Sequence, residues 1–121
     1  MRMQEVKEIL DAAVICGEDW LTLEIKVGCG SDLMSHVLAS ITSDDVLLLT
    51  GLVSHQVIYV SDAVNIRAIC FVNGKRPEQE IIELAQERKM VLLSADCPTF
   101  DACGKLYQHG LAGCVNDECD D

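Results

Sequence analysis

The sequence predicts an open α/β fold built on a parallel sheet, and three short apolar runs carry that reading. They are residues 46–50 (Val-Leu-Leu-Leu-Thr), 68–72 (Ala-Ile-Cys-Phe-Val) and 90–94 (Met-Val-Leu-Leu-Ser). A continuous run of four or five apolar residues suits a strand buried on both faces, the strand type of a parallel sheet. Each run closes on a polar or glycine turn, and a segment of helical character follows each one. The turns therefore line up along one rim of the sheet, where open α/β folds hold ligands.

From the N-terminus, Met3, Val6, Ile9, Leu10 and Ala13 recur at helical spacing and predict a first helix over 3–13. Leu21, Leu23, Ile25 and Val27 alternate with polar residues, which predicts a half-buried strand over 21–27, broken by Gly28-Cys29-Gly30. Ser31 or Asp32 is placed to cap a second helix whose apolar positions are Leu33, Met34, Val37 and Leu38. After the strand at 46–50, a segment begins near Ser54 with Val57, Ile58, Val60 and Ala63. Its β-branched residues suit a strand, yet the strand–helix alternation around it favours a helix. A strand over 66–72 ends at Asn73-Gly74, and Pro77 opens a helix that turns Ile81, Ile82, Leu84 and Ala85 inward. Arg88-Lys89 stand at its C-terminal end, where cations are favoured. The strand at 90–94 leads to a last helix, capped by Asp96 or Cys97, with Pro98 at its start. Phe100, Cys103, Leu106 and Tyr107 form its apolar stripe and Gly110 its stop. Residues 1–111 thus read as one domain, and 112–121, small and acidic, as a flexible tail.

The chain has 121 residues, half of them hydrophobic, enough to bury a core without staples. Its formal net charge of −11, with nine basic residues scattered along it, excludes the Lys/Arg clusters that nucleic acids and anionic membranes require. No apolar stretch approaches the ~20 residues of a membrane span, and the charged N-terminus lacks a signal-peptide core, so the expected location is cytoplasmic. Seven cysteines, an odd number without paired spacing, argue against a disulfide framework, and Cys16 and Cys70 read as small core residues.

Three stretches resemble one family: Gly-Ser-Asp-Leu-Met-Ser-His-Val at 30–37, Val-Asn-Gly-Lys-Arg-Pro at 72–77 and Leu-Ser-Ala-Asp-Cys-Pro-Thr-Phe-Asp-Ala at 93–102. In this order they look like a DRTGG domain, over roughly residues 3–111. The family is similar to the N-terminal domain of HPr kinase/phosphorylase and, more remotely, to the uridine-binding domain of murein ligases. The resemblance implies a three-layer fold with a central, mostly parallel sheet flanked by helices. Its members occur beside CBS domains in pyrophosphatases, on phosphotransacetylases, and as stand-alone proteins associated with iron hydrogenases. It implies regulatory ligand binding and subunit association without catalysis. The literal Asp-Arg-Thr-Gly-Gly pentapeptide is absent from this chain.

The candidate ligand-binding residues are those that follow strands or open helices: Ser31, Asp32, Thr50, Ser54, His55, Asn73, Gly74, Asp96 and Thr99, with Ser94 on the same rim and Lys75 and Arg76 able to add charge. Backbone N–H groups at helix starts favour an anionic or polar ligand, whereas the same residue types serve any α/β protein as turns and caps. Gly28-Cys-Gly30 begins like a dinucleotide fingerprint, but Leu33 replaces its third glycine and no acidic residue stands about twenty positions on. Gly74-Lys75 lacks the upstream glycine and the following Ser/Thr of a P-loop. Ser54-His55 has no nucleophile-elbow pattern around it. Asp32 and His36, four apart, are a weaker metal pair than Cys103, His109, Cys114 and Cys119, whose spacings match no common zinc pattern.

The reading reached is a non-catalytic regulatory or interaction module, binding a small anionic or nucleotide-like ligand, with no cofactor. Its expected partners are a second copy of itself, a homodimer, or an enzyme of the hydrogenase-associated or kinase/transferase kind. The family resemblance and the edge-like pattern of 21–27 motivate the dimer. The alternatives are a metal- or redox-handling accessory protein using the C-terminal cysteines, and an enzyme acting on a small phosphorylated substrate.

Overall fold

In the computed structural model, which describes residues 1–41 and 43–114, a six-stranded sheet separates two layers of helices. The helices are α1 (Met3–Leu10), α2 (Met34–Ser40), α3 (His55–Ala63), α4 (Gln79–Glu87) and α5 (Thr99–Gln108). The strands are β1 (Ala13–Cys16), β2 (Val27–Gly30), β3 (Val46–Thr50), β4 (Ala68–Phe71), β5 (Val91–Ser94) and β6 (Ala112–Gly113). Their order is β1-β5-β4-β3-β2-β6, and every pairing is parallel except β1 with β5. This is the expected three-layer α/β fold. No helix among the described residues is long and apolar enough to cross a membrane.

All residues of β3, β4 and β5 are buried, as their uninterrupted apolar character requires. Alternate side chains serve two cores. Leu47, Leu49, Cys70 and Leu93 pack with Met3, Val6 and Leu10 of α1 and with Ala102 and Leu106 of α5. Leu48, Ile69, Phe71 and Leu92 pack with Val37 of α2, Val57 and Ile58 of α3 and Ile81 and Ala85 of α4. Cys16 and Cys70 are buried core residues, and burial, followed by the neighbouring Cys97 and Cys103, pushes the Cys70 thiol up to about 12.

The first thirty residues depart most from the sequence reading. The first helix stops at Leu10, because Asp11 adopts a left-handed conformation (φ 50°) that reverses the chain. Ala13, expected in that helix, opens β1, and Ala12 to Cys16 is one more apolar run of the kind that marks a buried strand. Residues 21–26 are not a sheet strand. Leu23 O and Leu21 O accept from Met3 N and Gln4 N (2.9 Å each), so this alternating segment covers the free amides of the first turn of α1. A single bridge, Arg2 to Glu24, is all its sheet character. Gly28-Cys29-Gly30, expected as a break, is strand β2. A Cβ on Gly28 would stand 3.0 Å from Leu111 and one on Gly30 2.8 Å from the Cys103 Sγ, so these glycines allow the α5–β6 connection to lie close on the sheet.

Farther on, the three strands and their following helices stand where the apolar runs place them, and the segment at 55–63 is helical. Pro77 precedes α4 by two residues instead of opening it, and Glu78 is the residue before its first turn. Phe100 (86 % exposed) and Tyr107 (72 %) point to solvent, leaving Ala102 and Leu106 as the buried face of α5. Leu33 and Leu38 are likewise exposed, while Met34 and Val37 anchor α2. Residues 112 and 113, expected to open the tail, pair with Val27 and Gly28 of β2. Cys114 N donates to Gly28 O at 3.0 Å, and residues 115–121 lie outside the described residues.

At the end of the sheet where the parallel strands begin, Asp62 near the C-terminus of α3 accepts from Arg67 (2.7 Å) and from Arg88, which follows α4. Arg67 also reaches the Arg88 carbonyl at 3.2 Å, and Arg88 lies over the Tyr59 ring at 5.7 Å. The hydrogen bonds from Arg67 and then Arg88 hold the Asp62 carboxyl below its ordinary range.

Two outcomes are expected. Gly17 has φ +84°, and a Cβ there would stand 2.8 Å from both Met90 O and Val91 Cα, so Gly17→Ala should destabilise by more than about 2 kcal/mol in urea unfolding. Asp62→Asn should cost about 1 kcal/mol at neutral pH. Because the native carboxyl titrates below its unfolded value, Asp62 contributes stability above that value and loses it as the pH falls through the native one. The gap between the two proteins should therefore close on acidification below about pH 4.

Candidate functional site

Neighbouring strands β4 and β5 send their helices to opposite faces. The chain passes from β4 to α4 in the layer of α2 and α3, and from β5 to α5 in the layer of α1. A crevice in an open α/β sheet lies where adjacent strands diverge in this way, outside their carboxyl ends. Asn73-Gly74 and Asp96-Cys97 stand there. Asn73 (φ 59°) and Gly74 (φ 68°) are both left-handed, which turns the chain away from β4 within two residues. Asn73 N donates to Cys97 O and Gly74 N to Ala95 O, each at 2.9 Å, and Ser94 Oγ donates to Lys75 O at 2.9 Å. The two turns are thereby fastened to each other across the divergence. A Cβ on Gly74 would lie 3.5 Å from the Asp96 carboxylate.

The adjoining part of the rim is organised by Asp32. Its Oδ1 accepts from Thr50 Oγ1 (2.8 Å) and from Gly51 N (2.7 Å), which ties the turn after β2 to the turn after β3. Thr50, fully buried, also accepts from Leu52 N at 3.2 Å. Asp32 was expected as a helix cap, but the residue before α2 is Leu33, whose N–H is taken by Ser31 Oγ at 3.1 Å. The carboxylate is spent on the neighbouring strand instead. Gly51 bridges the two halves of the rim. A Cβ there would meet Asn73 Nδ2 at 3.5 Å and Asp32 at 3.8 Å.

Asp32, Thr50, Asn73, Gly74 and Asp96 thus form one band through Gly51, a residue the sequence offered only as a turn. The other candidates sit around it. Thr99 opens α5, its methyl 4.0 Å from where a Gly30 Cβ would be. His55 Nε2 faces Glu80 Oε2 at 3.9 Å, an exposed contact between the starts of α3 and α4. Ser54 Oγ neither caps α3 nor bonds to His55, and is buried without a hydrogen-bond partner among the described residues. Lys75 and Arg76 are exposed beside the crevice.

The proposed metal ligands do not converge. Cys103 packs against the core shared with α1 and α5, whereas Cys114 packs against the core on the other face of the sheet. His109 follows α5, its Nδ1 2.8 Å from Lys105 O, and Cys119 lies outside the described residues. Asp32 is engaged with Thr50 and Gly51, and His36 pairs with Ser40 at 3.3 Å. Among the described residues no three His, Cys, Asp or Glu side chains are grouped to hold a metal ion.

The family described as the DRTGG domain matches residues 5–109. No curated protein matches the sequence significantly. A similar solved structure holds the CBS and DRTGG domains of the regulatory region of Clostridium perfringens pyrophosphatase, complexed with its activator diadenosine tetraphosphate. It superposes with a TM-score of 0.71 at 17 % identity, over 88 % of this chain and 46 % of that one. The likeness establishes the fold, and the chain spans about half the length of that relative.

Removing the acceptor that joins the β2 and β3 turns should be felt by the whole rim. Asp32→Ala is expected to lower the urea-unfolding free energy by about 2 kcal/mol. Asp32→Asn, which keeps a carbonyl oxygen for Thr50 and Gly51, should lose clearly less. Equal losses would show that the two hydrogen bonds are not what Asp32 contributes.

Proposed function

The chain belongs to the DRTGG domain family, and from that premise we propose that it is a regulatory module, without catalysis, that binds a small anionic or nucleotide-like ligand at the carboxyl rim of its sheet. The observation that carries the reading is the divergence of α4 and α5 from adjacent strands. It places Asn73-Gly74 and Asp96 where the two helices part, next to the prebuilt Asp32–Thr50–Gly51 turn. Asn73 Nδ2, the starts of α3, α4 and α5, and the exposed Lys75 and Arg76 offer donors and positive charge there. The pyrophosphatase regulatory region, of which this fold is one part, takes a dinucleotide activator, and that supports a nucleotide-like class. Asp32, Asp96 and a net charge of −11 oppose tight binding of a polyanion. A mononucleotide or a singly phosphorylated metabolite at high-micromolar to millimolar affinity fits the balance.

The test is an NMR titration of the full chain with nucleotides and phosphorylated metabolites. The expected shifts are at Gly51, Asn73, Gly74 and Asp96. Gly51→Ala keeps an ordinary backbone, and its methyl would be in normal van der Waals contact with Asn73 and Asp32. It should leave the melting temperature nearly unchanged and weaken binding several-fold. Shifts confined to other surfaces would refute the placement.

A second reading, partner docking or self-association, is favoured by a different feature. Phe100 and Tyr107 stand exposed on α5 with Gly104 between them, along a shallow hollow. Residues 21–26 no longer motivate a dimer, since they cover α1. If α5 is the docking surface, sedimentation equilibrium at micromolar concentration should give a dimer mass that Phe100→Ser with Tyr107→Ser reduces to the monomer. A monomer mass for the parent chain would remove self-association from the reading.

A further inference from the structure

We propose that Cys29 and Cys114 form a reversible dithiol–disulfide site that fastens the edge strand β6 to β2. The register carries it. Val27 pairs with Ala112 and Gly28 with Gly113 in a parallel ladder, and Cys114 N donates to Gly28 O at 3.0 Å. One residue on, Cys29 stands opposite Cys114. Paired strands run about 4.8 Å apart, inside the Cα separation of about 4.4–6.8 Å that a disulfide spans. Both side chains lie on the same face of the sheet. Cys29 belongs to the core under α2, α3 and α4, and Cys114 packs against that same core. Cys103 and Cys97 lie on the other face. The sequence shows no such pair, because eighty-five positions separate the two cysteines and only the return of the chain beside β2 joins them.

The chemistry divides between the two thiols. Cys114, half-buried at the sheet edge, is the one a small oxidant reaches, whereas Cys29 is buried. With a low-molecular-weight disulfide as oxidant, the Cys114 thiolate attacks one of its sulfurs and releases the first small thiol. The Cys29 thiolate then attacks the Cys114 sulfur of the mixed disulfide and releases the second. Two protons leave the protein, two electrons pass to the oxidant, and the Cys29–Cys114 bond remains. In the reduced chain burial, then the adjacent Cys114 and, from the other face, Cys103, push the Cys29 thiol up to about 12. Burial persists in the mixed disulfide, so the second step quickens as hydroxide rises.

The test treats the reduced full chain with glutathione disulfide, quenches with an alkylating agent, and reads intact mass and peptide linkage. The expected product has lost two hydrogens, carries a Cys29–Cys114 linkage, and forms about tenfold faster for each pH unit between 7 and 9. Cys29→Ala should stop at one glutathione on Cys114. In the oxidised chain, the amide of Cys114, which donates to Gly28 O, should exchange with deuterium more slowly than in the reduced chain. A lasting glutathione adduct on the parent chain, or a linkage from Cys114 to another cysteine, would overturn the proposal.

Discussion

The two-sided burial of β3, β4 and β5 is the constraint on which the rest of the molecule depends. Their side chains alternate between the two cores with no polar face to spare, so each face must be covered by helices. Right-handed crossovers from β2 to β3, β4 and β5 place α2, α3 and α4 on one face. The other face is then left to α1 and α5, and α5 can cover it only if the chain reverses direction after β5. The divergence at β4 and β5 is therefore a consequence of covering the sheet. It needs no ligand to explain it.

An apolar sheet also exports its polar interactions to its ends. Apart from Cys16 Sγ, which donates to Met90 O at 3.6 Å, the side-chain hydrogen bonds that join distant segments among the described residues gather at two places. One is the Asp32–Thr50–Gly51 turn with the Ser94–Lys75 bond at the carboxyl rim, and the other is Asp62 with Arg67 and Arg88 at the opposite end. The two ends differ in kind. At the amino end two arginines converge on one carboxylate. At the carboxyl rim the bonds run between neutral groups and one carboxylate, and the cations Lys75 and Arg76 remain exposed beside the crevice.

This asymmetry explains which parts of the fold were legible in the sequence. The three apolar runs and the helices after them follow from local pattern, because burial on both faces leaves a continuous apolar signature. The early chain misleads for a physical reason. Residues 21–26 alternate because one side of an irregular segment packs on α1, and period-two alternation records one-sided burial and not strand pairing. Gly28 and Gly30 look like turn residues, yet they lie in β2 where Leu111 and Cys103 approach, a tertiary fact with no local trace. In the rim, Asp32, Thr50, Asn73, Gly74 and Asp96 were recognisable as turn residues after strands. That Asp32 serves β3 instead of capping its own helix was not, since Thr50 and Gly51 are eighteen and nineteen positions away.

The two edges of the sheet are held by different means, and this bears on how such a module could report a bound state. At one edge β1 runs antiparallel along β5 with three register pairs and a bulge, and Cys16 and Ala12 are buried beneath it. At the other, β6 contributes two register pairs, with Leu111 as its buried anchor. Segments with few buried contacts and few ladder bonds open at lower free energy than the centre of a sheet. The β6 edge is thus the cheaper of the two to release, and it continues from α5, the helix that begins at the crevice with Thr99 and carries Phe100 and Tyr107 outward. A ligand that alters the position of the α5 N-terminus would act on a helix whose other end holds only a two-residue strand.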